Sequence, residues 1–339
     1  MKEKTVSIKD VAKKAGVSLS TVSRVLNNTC IVSDELRDKV MNAVNSMDYV
    51  PNQAARSLVS SRTNTIGVIV NNMHDPFFYN LIKGFETGAQ NVGYNVIFAS
   101  VLGSSPDNKK KYIEYFSNGT VDGLILYGSR FDDNTLLKYL SGNIKCVLIE
   151  NDFRQDNCIN LLVDNVGGMK SGVHYLYEKG FRKIAYISGN PSRKAMSDRL
   201  KGFFDGVCET HLDMSQCIVD YVLGENDEAY SLVKRLVIDG LKYDAFFCAD
   251  DAIASYAIKA LEDSGYRVPE DVSVLGYDNR ENLPHGYRGK DITTIEQPLF
   301  QMGKDSIEIL SDFLKNKNQE SFSKCYETRI VEKETVRSL

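Results

Sequence analysis

Apolar positions recur at helical spacing in three short segments between residues 7 and 47. In the first segment, four apolar residues form a single stripe, namely Ile8, Val11, Ala12 and Ala15. Ser7 and Asp10 have the spacing of a capping box at its start. Gly16 can end the helix, because glycine adopts the left-handed conformation without a Cβ penalty. The pattern therefore predicts a first helix between Ser7 and Gly16.

Two further helices follow at short intervals. Ser18 can cap the second, whose inward-facing residues are Val22, Val25 and Leu26. Ser33 can cap the third, which carries one apolar face formed by Leu36, Val40, Val44 and Met47. Two helices joined through a glycine turn, with a third closing the core, form the helix-turn-helix arrangement, whose second helix lies in the DNA major groove.

The second helix leaves a set of residues facing outward, namely Leu19, Ser20, Thr21, Ser23 and Arg24. Arg24 can contact guanine through two hydrogen bonds, Ser20 can bond to more than one base, and Leu19 can touch a thymine methyl group. Three-helix cores without a DNA role also occur, so this pattern alone leaves that alternative open.

From Thr65 onward, short β-branched runs alternate with amphipathic stretches. The runs that have the character of buried strands are TIGVIV, NVIFASV, VDGLILYG, KCVLIE, INLLVD, KIAYISG, CIVDYV, AFFCAD and VSVLGYD. Continuous apolar strands alternating with helices predict parallel sheets covered on both faces. So many strands suit two sheets better than one, with a boundary near residues 152–160, where FRQDNC interrupts the pattern.

The composition is that of a soluble globular protein, since the 339 residues are 42% hydrophobic and 25% charged and suffice for two or three domains. The net charge of -4 is divided unevenly. Residues 1–62 hold ten Lys or Arg against six Asp or Glu, whereas the remainder holds 31 against 39. A basic head on an acidic body favours a polyanionic partner for the head, although solvated surface charge alone could produce so small a bias.

Several classes of protein are disfavoured by what the sequence lacks. No apolar run approaches the roughly 20 residues of a membrane helix, and MKEKTVSIKD lacks the apolar segment of a signal peptide, so we expect a cytoplasmic protein with no membrane partner. The seven cysteines show no CxxC pair, so we expect reduced, mostly buried thiols rather than zinc ligands or a disulfide framework. Without a phosphate-binding loop, a zinc-peptidase motif or a nucleophile elbow, we expect neither an enzyme nor a cofactor or metal.

The segment IKDVAKKAGVSLSTVSRVLNN, followed by YVPNQAARSL, resembles the DNA-binding headpiece and hinge of the LacI/GalR family of bacterial transcription regulators. The resemblance implies that Leu19, Ser20 and Arg24 contact the bases of an operator half-site. It also implies that Leu58 on the hinge is a minor-groove wedge with Ala55 beside it. A hinge helix of about two turns is marginal alone because nucleation is costly, so we expect it to fold with DNA and a second copy.

The expected DNA contacts extend along the headpiece and hinge and comprise Ser7, Ser18, Leu19, Ser20, Thr21, Ser23, Arg24, Asn27, Asn52, Ala55, Arg56 and Leu58. Arg56 can serve either as a phosphate contact or as hinge support, and its spacing does not choose between the two. One recognition helix contacts only a few base pairs, so we expect a homodimer on a palindromic double-stranded operator, with a tetramer left open.

The likeness continues through the body, where the family's motifs follow in order as NNMHDPFFYNLIKGFE, VDGLIL, VDNVGG, RKIAYISG, DRLKGF, VPEDVSVLGYDN and TTIEQP. It implies an all-α helix-turn-helix headpiece plus an α/β type I periplasmic-binding-protein-like core of two doubly wound lobes. The expected domains are a headpiece at 1–50, a hinge helix and linker at 51–62, and an effector-binding and dimerisation core at 63–339. The expected lobes are an N-lobe of about 63–155 plus 293–323 and a C-lobe of about 156–292 plus 324–339.

Ligands of open parallel sheets bind beyond the carboxyl ends of strands, and two such edges face each other across the expected cleft. Residues just past strand ends are therefore the effector candidates, namely Asp75, Phe77, Phe78, Glu150, Arg193, Arg199, Asp250 and Asp278. The resemblance implies effector-binding roles for Arg199 and Asp278. Phe77 or Phe78 could instead belong to the core, and Asp251 is expected to cap its helix rather than bind ligand.

Arginine forks and carboxylates suit polyhydroxylated or purine-like ligands, and we favour a sugar or sugar derivative over a purine. The resulting hypothesis is a transcriptional repressor controlled by a small-molecule effector in the cleft between the lobes. A phosphoprotein corepressor docking on the first lobe is the alternative, and a solute-binding protein without a DNA role is a remote one. Whether the effector induces or co-represses stays open.

Overall fold

The computed structural model describes residues 6–27, 32–50, 62–101, 106–128, 140, 144–224, 227–283, 287, 289–316 and 319–338. The chain divides into two compact units, Met1–Thr63 and Asn64–Leu339. Within the described ranges, every helix is too short or too polar to cross a membrane.

The first unit contains the three helices that the apolar pattern predicts, α1 (Ile8–Ala15), α2 (Leu19–Asn27) and α3 (Asp34–Ser46). The backbone N–H of Ser7 donates to the Asp10 carboxylate at 2.9 Å, and Gly16 adopts a left-handed φ of 66°. The buried core is formed by one apolar face of each helix, contributed by Val11, Ala12, Val22, Val25, Val40, Ala43 and Val44. Ser33 occupies the cap position of α3 without a side-chain capping bond.

The second unit contains helices and strands in alternation. Its helices are α4 (Tyr79–Val92), α5 (Pro106–Tyr115), α6 (Asn165–Glu178), α7 (Lys194–Glu209), α8 (Glu228–Leu236), α9 (Asp251–Glu262) and α10 (Leu299–Lys315). Its strands are β1 (Thr65–Val70), β2 (Asn95–Ser100), β3 (Gly123–Tyr127), β4 (Lys145–Ile149), β5 (Cys158–Val163), β6 (Ile184–Ser188), β7 (Ile218–Tyr221), β8 (Ala245–Cys248), β9 (Ser273–Asp278), β10 (Thr294–Glu296), β11 (Ser323–Tyr326) and β12 (Arg329–Val331). Short 3₁₀ turns cover Pro76–Phe78 and Met214–Gln216, and a wider helical turn covers Phe116–Thr120.

The strands form two six-stranded sheets, each at the centre of one lobe. Lobe 1 has the order β11-β5-β4-β3-β1-β2, and lobe 2 has the order β12-β10-β9-β8-β6-β7. Neighbouring strands are parallel except for β10 and β12, which pair antiparallel. Parallel strands put their carboxyl ends at one edge of a sheet, so the loops that follow them gather there.

The chain passes between the lobes at positions other than those expected. Strand β5 pairs with β4 in lobe 1, so the prediction that lobe 1 stops near residue 155 is wrong. The polar segment FRQDNC joins two strands of one sheet rather than two sheets. The later boundaries also shift, because β10 stays in lobe 2 and β11 pairs with β5 in lobe 1.

Cys146 and Cys158 are opposite each other on β4 and β5 and form a disulfide. Both side chains are buried in the core of lobe 1. The expectation of reduced thiols is therefore wrong for these two residues, and Cys208 and Cys325 are exposed rather than buried. The pairing depends on the register of two adjacent strands, which the spacing of cysteines along the chain does not reveal.

Helix α10 returns to lobe 1 and crosses α4 at a pair of glycines. A Cβ added to Gly84 would lie 2.2 Å from the carbonyl oxygen of Phe300. A Cβ added to Gly303 would lie 2.2 Å from the carbonyl oxygen of Leu81. Only glycine permits this approach of two helix backbones, which fixes α10 on lobe 1.

We expect Gly84→Ala to lower the free energy of unfolding by about 3 kcal/mol, because the added methyl group meets backbone that cannot rotate away. Urea unfolding followed by circular dichroism measures the change. Gln90→Ala, on an exposed position of the same helix, is the control and should stay within about 0.5 kcal/mol of the parent. Equal stability of Gly84→Ala and the parent would contradict the close crossing.

Candidate DNA-binding surface and effector cleft

The outward face of α2 carries the residues expected to contact DNA. Leu19, Ser20 and Arg24 are exposed, and the apolar Leu19 side chain retains 46% of its accessible surface. Thr21 and Ser23 are partly buried. The Thr21 backbone N–H donates to Ser18 Oγ at 3.1 Å, so Ser18 caps the helix as the sequence predicts. An exposed arginine, hydroxyl and apolar side chain on one short helix suit contact with base edges in a major groove.

The other expected DNA contacts are described only in part. Ser7 lies in the capping box of α1, and Asn27 is the last residue of α2. The four hinge candidates, Asn52, Ala55, Arg56 and Leu58, lie outside the described residues.

In the second unit, polar residues at strand ends of both lobes meet across a cleft. Asp75 follows β1 in lobe 1 and accepts a hydrogen bond from the Phe77 N–H at 3.0 Å, which caps the turn at Pro76–Phe78. Its carboxylate oxygen Oδ1 also lies 3.0 Å from Nη1 of Arg280, which follows β9 in lobe 2. The two sheet edges therefore face each other, as expected for a two-lobed ligand-binding core.

A buried pair of charges, Arg199 and Asp278, lies at the centre of the cleft. Nη2 of Arg199 is 3.1 Å from Asp278 Oδ1, and both side chains are 3% exposed. Arg199 also donates to Asn165 Oδ1 at 2.9 Å and to the Ala249 carbonyl at 2.5 Å, and its guanidinium stacks 3.7 Å from the Tyr277 ring centroid. Burial raises the pKa of Asp278 above its usual range. Much of the donor capacity of Arg199 is thus used by the protein itself.

Glu150 and Asp250 also line this region and are bound to the backbone. Glu150 has a positive φ of 58° and is 5% exposed. Its carboxylate accepts from the Val163 N–H at 2.7 Å and from Asn165 Nδ2 at 2.9 Å, while burial raises its pKa. Asp250 accepts from the Ile253 N–H at 2.7 Å and caps α9. Each keeps carboxylate lone pairs for further bonds.

The expectation that Asp251 caps α9 is wrong, because Asp250 has that position. Asp251 is instead buried beneath the cleft, where it accepts from Thr294 Oγ1 at 2.7 Å and from the Arg280 N–H at 2.9 Å. Burial and then the nearby Asp278 raise the pKa of Asp251 to about 7.

The remaining candidates separate into core and surface. Phe78 is buried and packs edge-on to Tyr127 with a centroid distance of 5.0 Å, so it belongs to the core. Phe77 is only partly buried and lies 5.4 Å from the Arg280 guanidinium, at the cleft. Arg193 is exposed at the start of α7.

Sequence reasoning missed three polar residues of the cleft, Arg280, Gln297 and Asn165. Arg280 comes two residues after Asp278, so the strand-end rule applied one step further identifies it. Gln297 donates to Asp278 Oδ1 at 2.6 Å directly after β10, a strand that the expected boundary assigned to the other lobe. Among the described residues, no group of three or more His, Cys, Asp or Glu is arranged to hold a metal ion.

The raised pKa of Asp251 predicts a pH dependence of stability. The folded state holds this proton up to about pH 7 and the unfolded state releases it near 3.8, so the contribution is largest at low pH and is lost as pH rises. Between about pH 5 and 6 this contribution falls by about 1.4 kcal/mol per pH unit, and the slope is about half as steep at pH 7. Asp251→Asn should remove this slope in urea unfolding series, whereas Asp213→Asn, an exposed control, should keep it. If the free energy of unfolding changed with pH in the same way for Asp251→Asn and the parent, the raised pKa of Asp251 would be contradicted.

Both units match known protein families. Residues 7–52 match the family described as bacterial regulatory proteins, lacI family, and residues 173–336 match the periplasmic binding protein-like domain. The chain is 34% identical over 318 residues to the HTH-type transcriptional repressor PurR of Photobacterium profundum, covering 93% of each chain.

Solved structures extend the likeness over the whole chain. One is the Lac repressor dimer bound to operator and the anti-inducer ONPF, with a TM-score of 0.87, 25% identity and coverage of 98% of this chain and 100% of that one. Another is the transcriptional regulator CelR in complex with cellobiose, with a TM-score of 0.70, 27% identity and coverage of 97% and 99%. The expected fold class is confirmed. The chain belongs to the lacI family of bacterial regulatory proteins and is a DNA-binding transcriptional repressor rather than an enzyme.

Proposed function

We propose that this repressor binds a two-fold symmetric operator as a homodimer and is controlled by a neutral, polyhydroxylated effector held between its lobes. The observation that carries the proposal is the meeting of Asp75 and Phe77 of lobe 1 with Asp278 and Arg280 of lobe 2 at one cleft. A ligand that bonds to both edges has different free energies in the open and closed arrangements, which is the requirement for control.

Dimerisation is supported by the small size of the recognition face. The exposed part of α2 is short and contacts only a few base pairs, too few for a useful specificity ratio. Two copies related by a two-fold axis double the number of base contacts and demand a palindromic site. A similar solved protein, the Lac repressor, is a dimer on its operator.

The charge of the cleft supports a neutral ligand. Carboxylates of the described residues at this site, on Asp75, Glu150, Asp250 and Asp278, outnumber the guanidinium groups of Arg199, Arg280 and the exposed Arg193. A phosphorylated or acidic ligand would add negative charge to this excess. Hydroxyl groups donate to carboxylates and accept from guanidinium groups, so a polyol satisfies both. The similar regulator CelR was solved with cellobiose.

The proposed mechanism links the effector to DNA through the angle between the lobes. The chain crosses between lobes after β5, after β10 and after β11, so opening the cleft rotates one lobe about these segments. Residues 51–62 precede lobe 1 in the sequence, and we propose that the lobe angle controls whether the two copies of this segment in a dimer can meet on DNA. Effector and operator then alter each other's affinity by the same factor, in either direction.

Replacing Arg24 by alanine should weaken binding by about 1 to 3 kcal/mol and relax the base preference at one position of each half-site. Selection of bound sequences from a random DNA library by the full-length protein, followed by titration of the selected site, measures both effects. Lys39→Ala removes the same charge from an exposed position on α3 and is the control. A parent-like preference profile for Arg24→Ala would remove Arg24 from the base contacts.

A thermal-shift screen of sugars, sugar phosphates, nucleosides and purines tests the effector class. A neutral polyol at 100 times its Kd adds about 2.7 kcal/mol of stability and raises Tm by several degrees, whereas its phosphate ester should give no shift. Phe77→Ala should abolish the shift, and Phe322→Ala, an exposed phenylalanine of the same lobe, should retain it. A shift with purines or phosphorylated sugars alone would overturn the assignment to neutral polyols.

A further inference from the structure

Arg280 spans the cleft and contacts acidic groups on both sides. Its Nε lies 3.4 Å from Asp278 Oδ2 and its Nη2 lies 3.9 Å from Asp250 Oδ2, both within lobe 2. Its Nη1 lies 3.0 Å from Asp75 Oδ1 in lobe 1. The side chain is 9% exposed, so the guanidinium is largely removed from water. Arg280 therefore belongs to lobe 2, but its guanidinium interacts with carboxylates of both lobes.

The backbone before Arg280 is built to aim this side chain. Asp278 has a positive φ of 108°, an uncommon value for any residue other than glycine, and Asn279 follows at 53°, in the left-handed region that asparagine tolerates. Asn279 donates to Glu296 at 2.8 Å and accepts from Lys333 Nζ at 2.8 Å. The Arg280 N–H is held by Asp251 at 2.9 Å. The backbone of this turn is thus held by Glu296, Lys333 and Asp251, which fixes the point from which the Arg280 side chain extends.

Lobe 1 presents an oriented acceptor, Asp75, whose side chain is 35% exposed. The Asp75 carboxylate is oriented by its bond to the Phe77 N–H at 3.0 Å. The Phe77 ring lies 5.4 Å from the guanidinium carbon, within reach of a cation–π interaction. Next to this pair, Asn80 of lobe 1 donates to Glu281 of lobe 2 at 3.5 Å. A second charged pair also joins the lobes, since Lys194 Nζ of lobe 2 lies 3.7 Å from Asp152 Oδ2 of lobe 1, but its aspartate is 61% exposed. The Arg280–Asp75 pair, at 3.0 Å, is the shorter and the more buried of the two.

We propose that Arg280 and Asp75 form a latch that holds the lobes together through the protein's own charges and so sets the position of the opening equilibrium. The latch itself does not depend on the proposed function. Only its effect on ligand binding does, because an effector must either compete with Arg280 for Asp75 or bind around the intact pair. The Arg280 guanidinium already contacts the carboxylates of Asp75, Asp250 and Asp278. Arg280 therefore also determines which carboxylate oxygens remain for a ligand.

Hydrogen exchange of the full-length protein, measured by mass spectrometry without DNA or added ligand, tests the latch. The variants are Asp75→Asn, Arg280→Gln and the double variant. Asparagine keeps the acceptor that caps the turn at Pro76–Phe78 and removes only the charge. Arg267→Gln is the matched control, because it breaks an arginine–aspartate pair that lies within lobe 2, where Arg267 Nη2 is 2.7 Å from Asp271 Oδ1.

The decisive result is the effect of each variant on the opposite lobe. Asp75→Asn, a change in lobe 1, should speed exchange of residues 278–283 in lobe 2, and Arg280→Gln should speed exchange of residues 75–81. An acceleration of about tenfold corresponds to one charged hydrogen bond. The double variant should exchange no faster than the faster single variant, and Arg267→Gln should leave residues 75–81 unchanged.

The latch would be overturned if hydrogen exchange became faster only in the lobe that carries the substitution. It would also be overturned if the effects of the two substitutions on exchange added up in the double variant. Arg280 would then only support the structure of lobe 2. If Arg280→Gln fails to fold, the response of residues 278–283 to Asp75→Asn decides alone. Because the measurement uses neither operator nor effector, its outcome is independent of the polyol screen. A failed screen with cross-lobe acceleration would reject the proposed effector and keep the latch.

Discussion

The buried pair of Arg199 and Asp278 is the constraint on which the core depends. Removing both charges from water costs more than their attraction returns unless the remaining hydrogen-bonding groups are also satisfied. Asn165, Gln297 and the Ala249 carbonyl supply those bonds. These partners come from separate parts of the chain, so the pair can form only where α6, α7, β9 and the segment after β10 converge. The cleft therefore lies where these segments meet to compensate the cost of removing the two charges from water.

The sequence pattern predicts the local structure well where one physical rule dominates. Apolar stripes and the Ser7–Asp10 spacing locate the headpiece helices, and the strand-end rule finds Asp75, Arg199 and Asp278 because parallel strands leave their carboxyl ends at one edge. The same rule misses Arg280, since it does not say how far past a strand end a side chain can reach back across the cleft.

What the pattern could not predict depends on pairing between distant segments. FRQDNC is polar enough to separate two domains or to connect two strands, and only the register of β5 against β4 decides. That register also brings Cys146 to Cys158, although nothing in their separation along the chain marks them. Asp250 and Asp251 are similar in composition and neighbourhood, and which one caps α9 is decided by the backbone turn that precedes the helix.

The order of strands in the two sheets bears on how the core is made during synthesis. Lobe 1 receives α10 and its edge strand β11 only from residues beyond 298, and lobe 2 receives β12 later still. Contacts between such distant segments form slowly, because long loops must close before any gain is realised. A nascent core therefore stays incomplete in both lobes until nearly all of the described chain has left the ribosome.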